Sequence, residues 1–242
     1  MASFSTTATV DEPRISLGDD GVLPPLRGGG GDGDSGPGLP DYATRLRRAR
    51  LGLLVALTPV LMLFVSFSSA YVVRQGLPTL DPRTNQLVLD WIPVTLPKLL
   101  LLNTGVLILS SLFMELARRQ IKGQATPLPG VSAEEPTKIP WLAMTLVLGL
   151  AFLFGQWTAW RQLAASGFYV ATTPSSSFVY LLTGTHAVHL MGGVLALFVA
   201  GIASLLRRSV ATRSIVVDVT AWYWHFMAAL WIYILCLLEF AG

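Results

Sequence analysis

From Leu51 onward the chain alternates between long apolar runs and short polar interruptions, and the lengths of the runs decide what they are. Five stretches, about 51–73, 92–117, 139–163, 177–206 and 215–240, each reach or exceed the ~20 residues that an α-helix needs to cross the hydrocarbon layer. Lipid offers no partner to an unpaired backbone amide, so a run of this length is read as helix rather than strand. The expected fold is all-α: an integral membrane bundle of five transmembrane helices. Residues 1–44 differ. Their "LRGGGGDGDSGPGLP" segment has no hydrophobic period and is rich in Gly, Pro and Asp, which predicts a disordered tail ahead of a helical domain at 45–242. The tail also lacks the basic start and apolar core of a secretory signal.

Composition agrees with the pattern. Of 242 residues 52% are hydrophobic and 13% charged, with mean hydropathy +0.58, a balance that no soluble domain of this size could expose to water. The single cysteine, Cys236, excludes an internal disulfide and any thiolate cluster built from this chain.

Charge adds orientation. Residues 1–44 hold seven acids against Arg14 and Arg27, a net of minus five; the remainder holds fifteen bases against seven acids, a net of plus eight. Eleven of those bases (Arg45, Arg47, Arg48, Arg50, Arg118, Arg119, Lys122, Lys138, Arg207, Arg208, Arg213) fall on one side of the membrane, and four (Arg74, Arg83, Lys98, Arg161) on the other. Positive-inside bias then predicts a cytoplasmic N-terminus and a periplasmic or otherwise external C-terminus. Trp91, Trp141, Trp157, Trp160 and Trp222 lie near predicted span ends, as an interfacial aromatic belt requires. The basic runs flank apolar segments and carry no aromatic interleaving, so they are read as membrane anchors and not as a nucleic-acid patch. Gly149, Gly155, Gly192, Gly193 and the "SFSSA" run at 66–70 are the positions where helices are expected to approach closely.

Candidate chemistry centres on three histidines, His186, His189 and His225. Imidazole is the commonest metal ligand. His186 and His189, three apart on one helix, are read as sharing a face, which prevents them from approaching a haem iron from opposite sides. At 1.5 Å per residue His225 lies roughly 15 Å from the inner end of its span and His189 roughly 24 Å from the inner end of its own, which disfavours a shared ion. No HExxH, cysteine cluster or inward Glu-x-x-His set supplies further ligands, so no metal site is expected and the histidines are read as packing groups bonded to neighbouring helices or to a partner protein. Glu115 is placed to pair locally with Arg118 and Arg119, and Asp218 is read as a first-turn acid beside Arg213. P-loop, GxGxxG and GxSxG patterns are absent, which points to an accessory subunit or a carrier with no catalytic residue of its own.

"LLTGTHAVHLMGG", followed about thirty residues later by "AWYWHFMAALW", closely resembles the paired signatures of the haem-copper oxidase subunit III family, the third core subunit of cytochrome c oxidase. "LMLFVSFSSAYVVRQG", "LPKLLLLNTGVLILSSL" and "LGLAFLFGQWTAW" are similar to earlier helices of that family, so the likeness covers about residues 46–240. The signature residues it marks are His186, His189, Trp222, Tyr223, Trp224, His225, Phe226, Asp218 and Asn103. Long family members have seven helices, with a lipid-filled V between the first two and the last five; this chain resembles the last five, a form typical of bacteria. The resemblance implies a proton-pumping terminal oxidase complex of the bacterial inner membrane. Subunit I would hold haem and copper as the direct partner, with subunit II beside it, the number of further subunits left open, and cytochrome c as electron donor. The chain itself would hold no redox cofactor, and would stabilise subunit I and support proton uptake and oxygen access. Phospholipid is an expected ligand, with Arg207, Arg208 and Arg213 as headgroup candidates or, equally, as topology anchors. Three departures stand out: the family's intramembrane carboxylates correspond to Pro59 or Val60, to Ala159 and to Ala228 here. A quinol oxidase or a homologue associated with nitric oxide reductase stays open as an alternative complex, and a small transporter with a His-lined path, helices broken at Pro59 and Pro97, as an alternative class.

Overall fold

A computed structural model describes residues 42–80, 83, 85–88, 91–92, 94, 96–125, 140–205 and 210–240. They form five long helices and one short hairpin: α1 (Tyr42–Gln75), β1 (Thr79–Leu80), β2 (Leu87–Val88), α2 (Leu99–Ala125), α3 (Pro140–Ala165), α4 (Pro174–Leu205) and α5 (Val210–Phe240). All five helices are long and apolar enough to span a bilayer, as expected of a multi-pass membrane protein.

Helix packing is a ring with an outlier. α2 packs on α3, α3 on α4, α4 on α5 and α5 back on α2, while α1 lies against α4 and α5 only. α5 therefore touches α1, α2 and α4, and its buried side runs from Ser214 through Trp224 and Trp231 to Leu238. The largest buried side chains, Trp224, Trp231, Phe152, Phe64 and Tyr71, fill the ring and the α1 seam. In lipid this packing, not release of water, is what draws helices together.

Helix ends depart from the hydropathy windows for local reasons. α1 starts at Tyr42, well before the predicted Leu51, so residues 42–44, read as tail, are its first turn; the rest of the tail lies outside the described residues. The "RLRRAR" stretch is polar, yet Arg is a good helix former, and Tyr42 and Arg50 both bond to α5. α2 starts at Leu99 and not at the predicted Ile92, because Pro97 disfavours helix in the residue before it and its ring is accepted only in the opening turn. The amides of Leu100 and Leu101 bond the carbonyls of Pro97 and Lys98 to open that turn. At its other end α2 outlasts the apolar window by eight residues, carried by ion pairs of Glu115, Arg118 and Lys122.

Pro59 does not break its helix: α1 runs through it as a single element. Between α1 and α2 the hairpin pairs Thr79 with Val88 and Leu80 with Leu87, and Asn85 takes the left-handed conformation that asparagine tolerates in turns. α3 ends in a Schellman motif, with Gly167 at φ +88° and the amides of Phe168 and Gly167 bonded to the carbonyls of Leu163 and Ala164. α4 opens with Pro174 after a reciprocal cap: Thr173 Oγ1 accepts from the Ser176 amide and Ser176 Oγ from the Thr173 amide, both at 3.1 Å.

Candidate functional site

The polar residues of the spans gather in two places, an ionic cluster at the basic end of the bundle and a histidine and tryptophan layer beyond it. Asp218 centres the first. It sits two turns inside α5 on the side that faces both α1 and α2, and its side chain is 1% exposed. Arg50 Nε from α1 bonds its Oδ2 at 2.8 Å; Arg118 Nε and Lys122 Nζ from α2 bond Oδ1 at 2.8 and 2.9 Å. Residues 118 and 122 are one turn apart, so one face of α2 delivers both cations. The first-turn reading of Asp218 is thus corrected: α5 begins at Val210, and the carboxylate is held by three side chains of other helices, not by a helix dipole.

Glu115 makes the expected pairs, to Arg118 Nη1 at 3.0 Å and Arg119 Nε at 2.9 Å. The pair is more than local. Arg118 bridges Glu115 to Asp218, and His225 Nε2 of α5 lies 3.5 Å from Glu115 Oε2. The Arg118 guanidinium also lies 5.8 Å from the centre of the Trp222 ring, within cation–π range. The cluster therefore ties three helices at one end of the bundle.

The "WYWHF" residues 222–226 fan around α5 because each step turns the helix by about 100°. Trp222 is outermost and 48% exposed. The Tyr223 hydroxyl donates to the His189 carbonyl on α4 at 2.7 Å. Trp224 is fully buried; its Nε1 donates to Ser110 Oγ of α2 at 3.2 Å, and Ser110 Oγ donates in turn to the Thr145 carbonyl of α3 at 3.1 Å. His225 Nδ1 shares a short hydrogen bond with Ser111 Oγ, and Phe226 packs half-buried against the core. Glycine makes room for these rings. A β-carbon at Gly149 would meet Trp224 Cη2 at 2.7 Å, and one at Gly193 would meet Tyr223 Cε1 at 2.9 Å and Trp224 Cζ3 at 3.2 Å. Asn103 fits the same way: its amide fills the space above Gly155 and its Nδ2 donates to the Phe152 carbonyl at 3.0 Å.

His186 and His189 stand at neighbouring positions on α4 but meet different rings. Three residues place them about 60° apart around α4. His186 is fully buried between Phe152 of α3 and Trp231 of α5, with ring centroids at 6.0 and 5.0 Å. His189 faces Phe64 of α1 at 5.9 Å, and its Nδ1 donates to the Thr185 carbonyl at 2.8 Å. With His225 bonded on the α2 side, the three imidazoles point into three different seams. Among the described residues no group of three His, Cys, Asp or Glu converges on a common point.

Of the headgroup candidates, Arg207 and Arg208 lie outside the described residues and Arg213 is half-buried on α5. Of the positions where the resemblance expects carboxylates, Ala159 and Ala228 are 3% and 6% exposed in the core, Pro59 is exposed and Val60 half-buried. Sequence reasoning missed Arg50, Ser110 and Ser111 as partners of the signature residues; it paired Arg118 with Glu115 alone and treated Lys122 only as flanking charge. For Arg118 and Lys122 a signal existed, since their one-turn spacing places both on one face of α2.

The chain spans about half the length of the first curated relatives that it matches. It is 35% identical over 103 residues to a probable cytochrome c oxidase subunit 3 of Mycobacterium bovis, a match covering 41% of this chain and 49% of the relative. It is 29% identical over 92 residues to cytochrome c oxidase subunit 3 of Corynebacterium diphtheriae, covering 38% and 45%, and 27% identical over 190 residues to that of Triticum aestivum, covering 76% and 65%. The family model of cytochrome c oxidase subunit III matches residues 43–242, which takes in all of the helical bundle except its first residue, and the chain therefore belongs to that family.

Proposed function

We propose that the chain is the non-redox subunit III of a haem-copper terminal oxidase in a bacterial inner membrane, with its basic end and N-terminus cytoplasmic and its C-terminus periplasmic. The match over residues 43–242 carries this reading. The geometry supports the non-redox part. Each of the three histidines faces a different seam, and Asp218 and Glu115 are taken up by cations, so among the described residues no cluster of metal-ligating side chains is assembled. Haem and copper belong on subunit I, the direct partner, with subunit II alongside; cytochrome c reduces the complex. The role of this chain is to brace subunit I and to support proton uptake and oxygen access, with phospholipid at its basic flank.

The organisation proposed with this reading is a tail ahead of α1 and a transmembrane domain that begins with that helix at Tyr42. Its exposed apolar surface, including Leu54, Val55 and Met62 of α1 and Val188, Met191 and Leu195 of α4, suits contact with lipid and partner helices.

Affinity purification of the tagged chain from its native membrane tests the assignment. The expected preparation contains a haem-bearing subunit and consumes oxygen with reduced cytochrome c, while the separated chain has no Soret band. A Soret band in the separated chain, or a preparation free of oxidase subunits, overturns it. Oxygen consumption driven by quinol but not by cytochrome c moves the chain to the quinol oxidase alternative.

A further inference from the structure

His186 is the most deeply buried ionisable side chain of the histidine layer, at 0% exposure, and neither of its ring nitrogens has a hydrogen-bond partner among the described residues. Gln156, 2% exposed, has a buried Oε1 in the same condition. Leaving a buried polar atom unpaired forfeits its hydration with nothing in exchange, and within a membrane neither bulk water nor lipid relieves it. Full burial also rules out a partner subunit as the missing donor or acceptor.

The register of α3 against α4 brings the two residues to one level. These helices run antiparallel, with Trp160 bonded to Thr183 at one point (3.0 Å), Phe152 against His186 further along, and Gly149 and Gly193 both against Trp224 beyond. Gln156 lies midway between Phe152 and Trp160, one turn from each, on the buried stripe Phe152, Gln156, Ala159, Leu163. Its level on α4 is therefore that of residues 183–186. Neighbouring polar groups are already committed: Trp231 Nε1 to Thr104 Oγ1, Asn103 Nδ2 to the Phe152 carbonyl, Thr183 Oγ1 to the Val179 carbonyl.

We infer that His186 and Gln156 bound an internal hydration site of two water molecules enclosed by α3, α4 and α5. The chemistry sets the number. A neutral imidazole offers one donor and one acceptor on different edges of the ring, which a single water cannot reach together. One water bridges a ring nitrogen to Gln156 Oε1, donating to the amide oxygen, and the second serves the other nitrogen. Buried waters of this kind make about three hydrogen bonds to groups that otherwise have none. The hydrated imidazole is then a polar joint among three helices.

The test uses the chain as purified from its native membrane, with whatever subunits accompany it, so that it does not depend on the oxidase assignment. A density map fine enough to show ordered water is expected to place two peaks within hydrogen-bond distance of the His186 nitrogens, one of them also within reach of Gln156. A direct bond between the two side chains, or a ring with no peak beside it, overturns the inference. His186→Leu, Gln156→Leu and the double variant supply a second readout, the half-life of the folded chain at a fixed elevated temperature. Each single change is expected to shorten it several-fold, and the double no further than the worse single, because the second change removes a group already orphaned. Multiplying single effects would mean that the two side chains share nothing.

Discussion

Trp224 of α5 presses the edge of its indole against Gly149 of α3, so closely that a β-carbon there would stand 2.7 Å from Cη2 and 3.0 Å from Cζ2. The same ring meets Gly193 of α4 from the other side and Ser110 of α2 through Nε1, so one side chain measures the spacing of four helices. The indole is enclosed and cannot swing away. Gly149→Ala is therefore expected to destabilise the folded chain by about 1–3 kcal/mol, the usual cost of overpacking. Gly105→Ala is the control, since its β-carbon would enter open space and alanine is the better helix former by up to ~1 kcal/mol. Thermal unfolding of the two variants in the same detergent checks the contrast; equal midpoints would show that Trp224 has room to move.

Asp218 holds Arg50, Arg118 and Lys122 with a carboxylate that is itself 1% exposed. Asp218→Asn keeps the shape and removes the charge, which leaves three cations facing a neutral amide. Removing one partner of a buried ion pair costs about 3–5 kcal/mol. Arg50 and Lys122, whose side chains are 37% and 39% exposed, can turn back to water, so the expected loss is about 3 kcal/mol. Arg50→Gln should cost less, because Arg118 and Lys122 still compensate Asp218. Proteolysis of the variants in membrane vesicles from the basic side would read this, with faster cleavage near α1 in Asp218→Asn than in Arg50→Gln. The reverse order would mean that Arg50 and not Asp218 anchors the cluster.

The class of the fold was legible because the criterion is length: a run of twenty apolar residues has few alternatives in lipid. Helix ends were less so. Hydropathy windows stop where charge begins, whereas α1 and α2 run on through arginines that bond to α5 across 168 and 100 positions of sequence. A single sequence carries no mark of such pairings. The histidines show the same division. That they are packing groups could be argued from their spacing, but which seam each faces follows from where α1, α3 and α5 lie around α4. The β1–β2 hairpin went unassigned because two residues per strand are too few to show a period.

Pro59 separates a bundle subunit from a carrier with a broken helix. It stands on the exposed side of an uninterrupted α1. Restoring the missing amide should tighten the helix, so Pro59→Ala is expected to leave the fold intact and its thermal midpoint unchanged or higher. Oxygen consumption by the purified complex should be unaltered. Loss of activity at full stability would show instead that the proline acts as a hinge.

Tyr223 joins α5 to α4 through one hydrogen bond, 2.7 Å from its hydroxyl to the His189 carbonyl. Tyr223→Phe removes only that hydroxyl, and the expected loss is about 1 kcal/mol, the net worth of a neutral hydrogen bond. A shift of that size in the unfolding midpoint, with packing otherwise kept, is the expected result; no shift would mean that the carbonyl is satisfied within its own helix.

His189 differs from His186 in being bonded within its own helix turn and set against α1. Its Nδ1 donates to the Thr185 carbonyl at 2.8 Å and its ring meets Phe64 edge-on at 5.9 Å. His189→Ala removes the aromatic contact and opens a cavity in the seam that holds α1, the helix packed least extensively against the rest of the bundle. Truncation of a partly buried ring should weaken that seam by about 1–3 kcal/mol, and the effect should appear as slower assembly or faster loss of the chain from the purified complex. The haem spectrum of complexes that do assemble should be unchanged, because the imidazole packs on Phe64 and its Nδ1 is bonded to the Thr185 carbonyl. A displaced Soret or α band in assembled His189→Ala complexes would place this histidine next to the haem and undo its reading as a packing group.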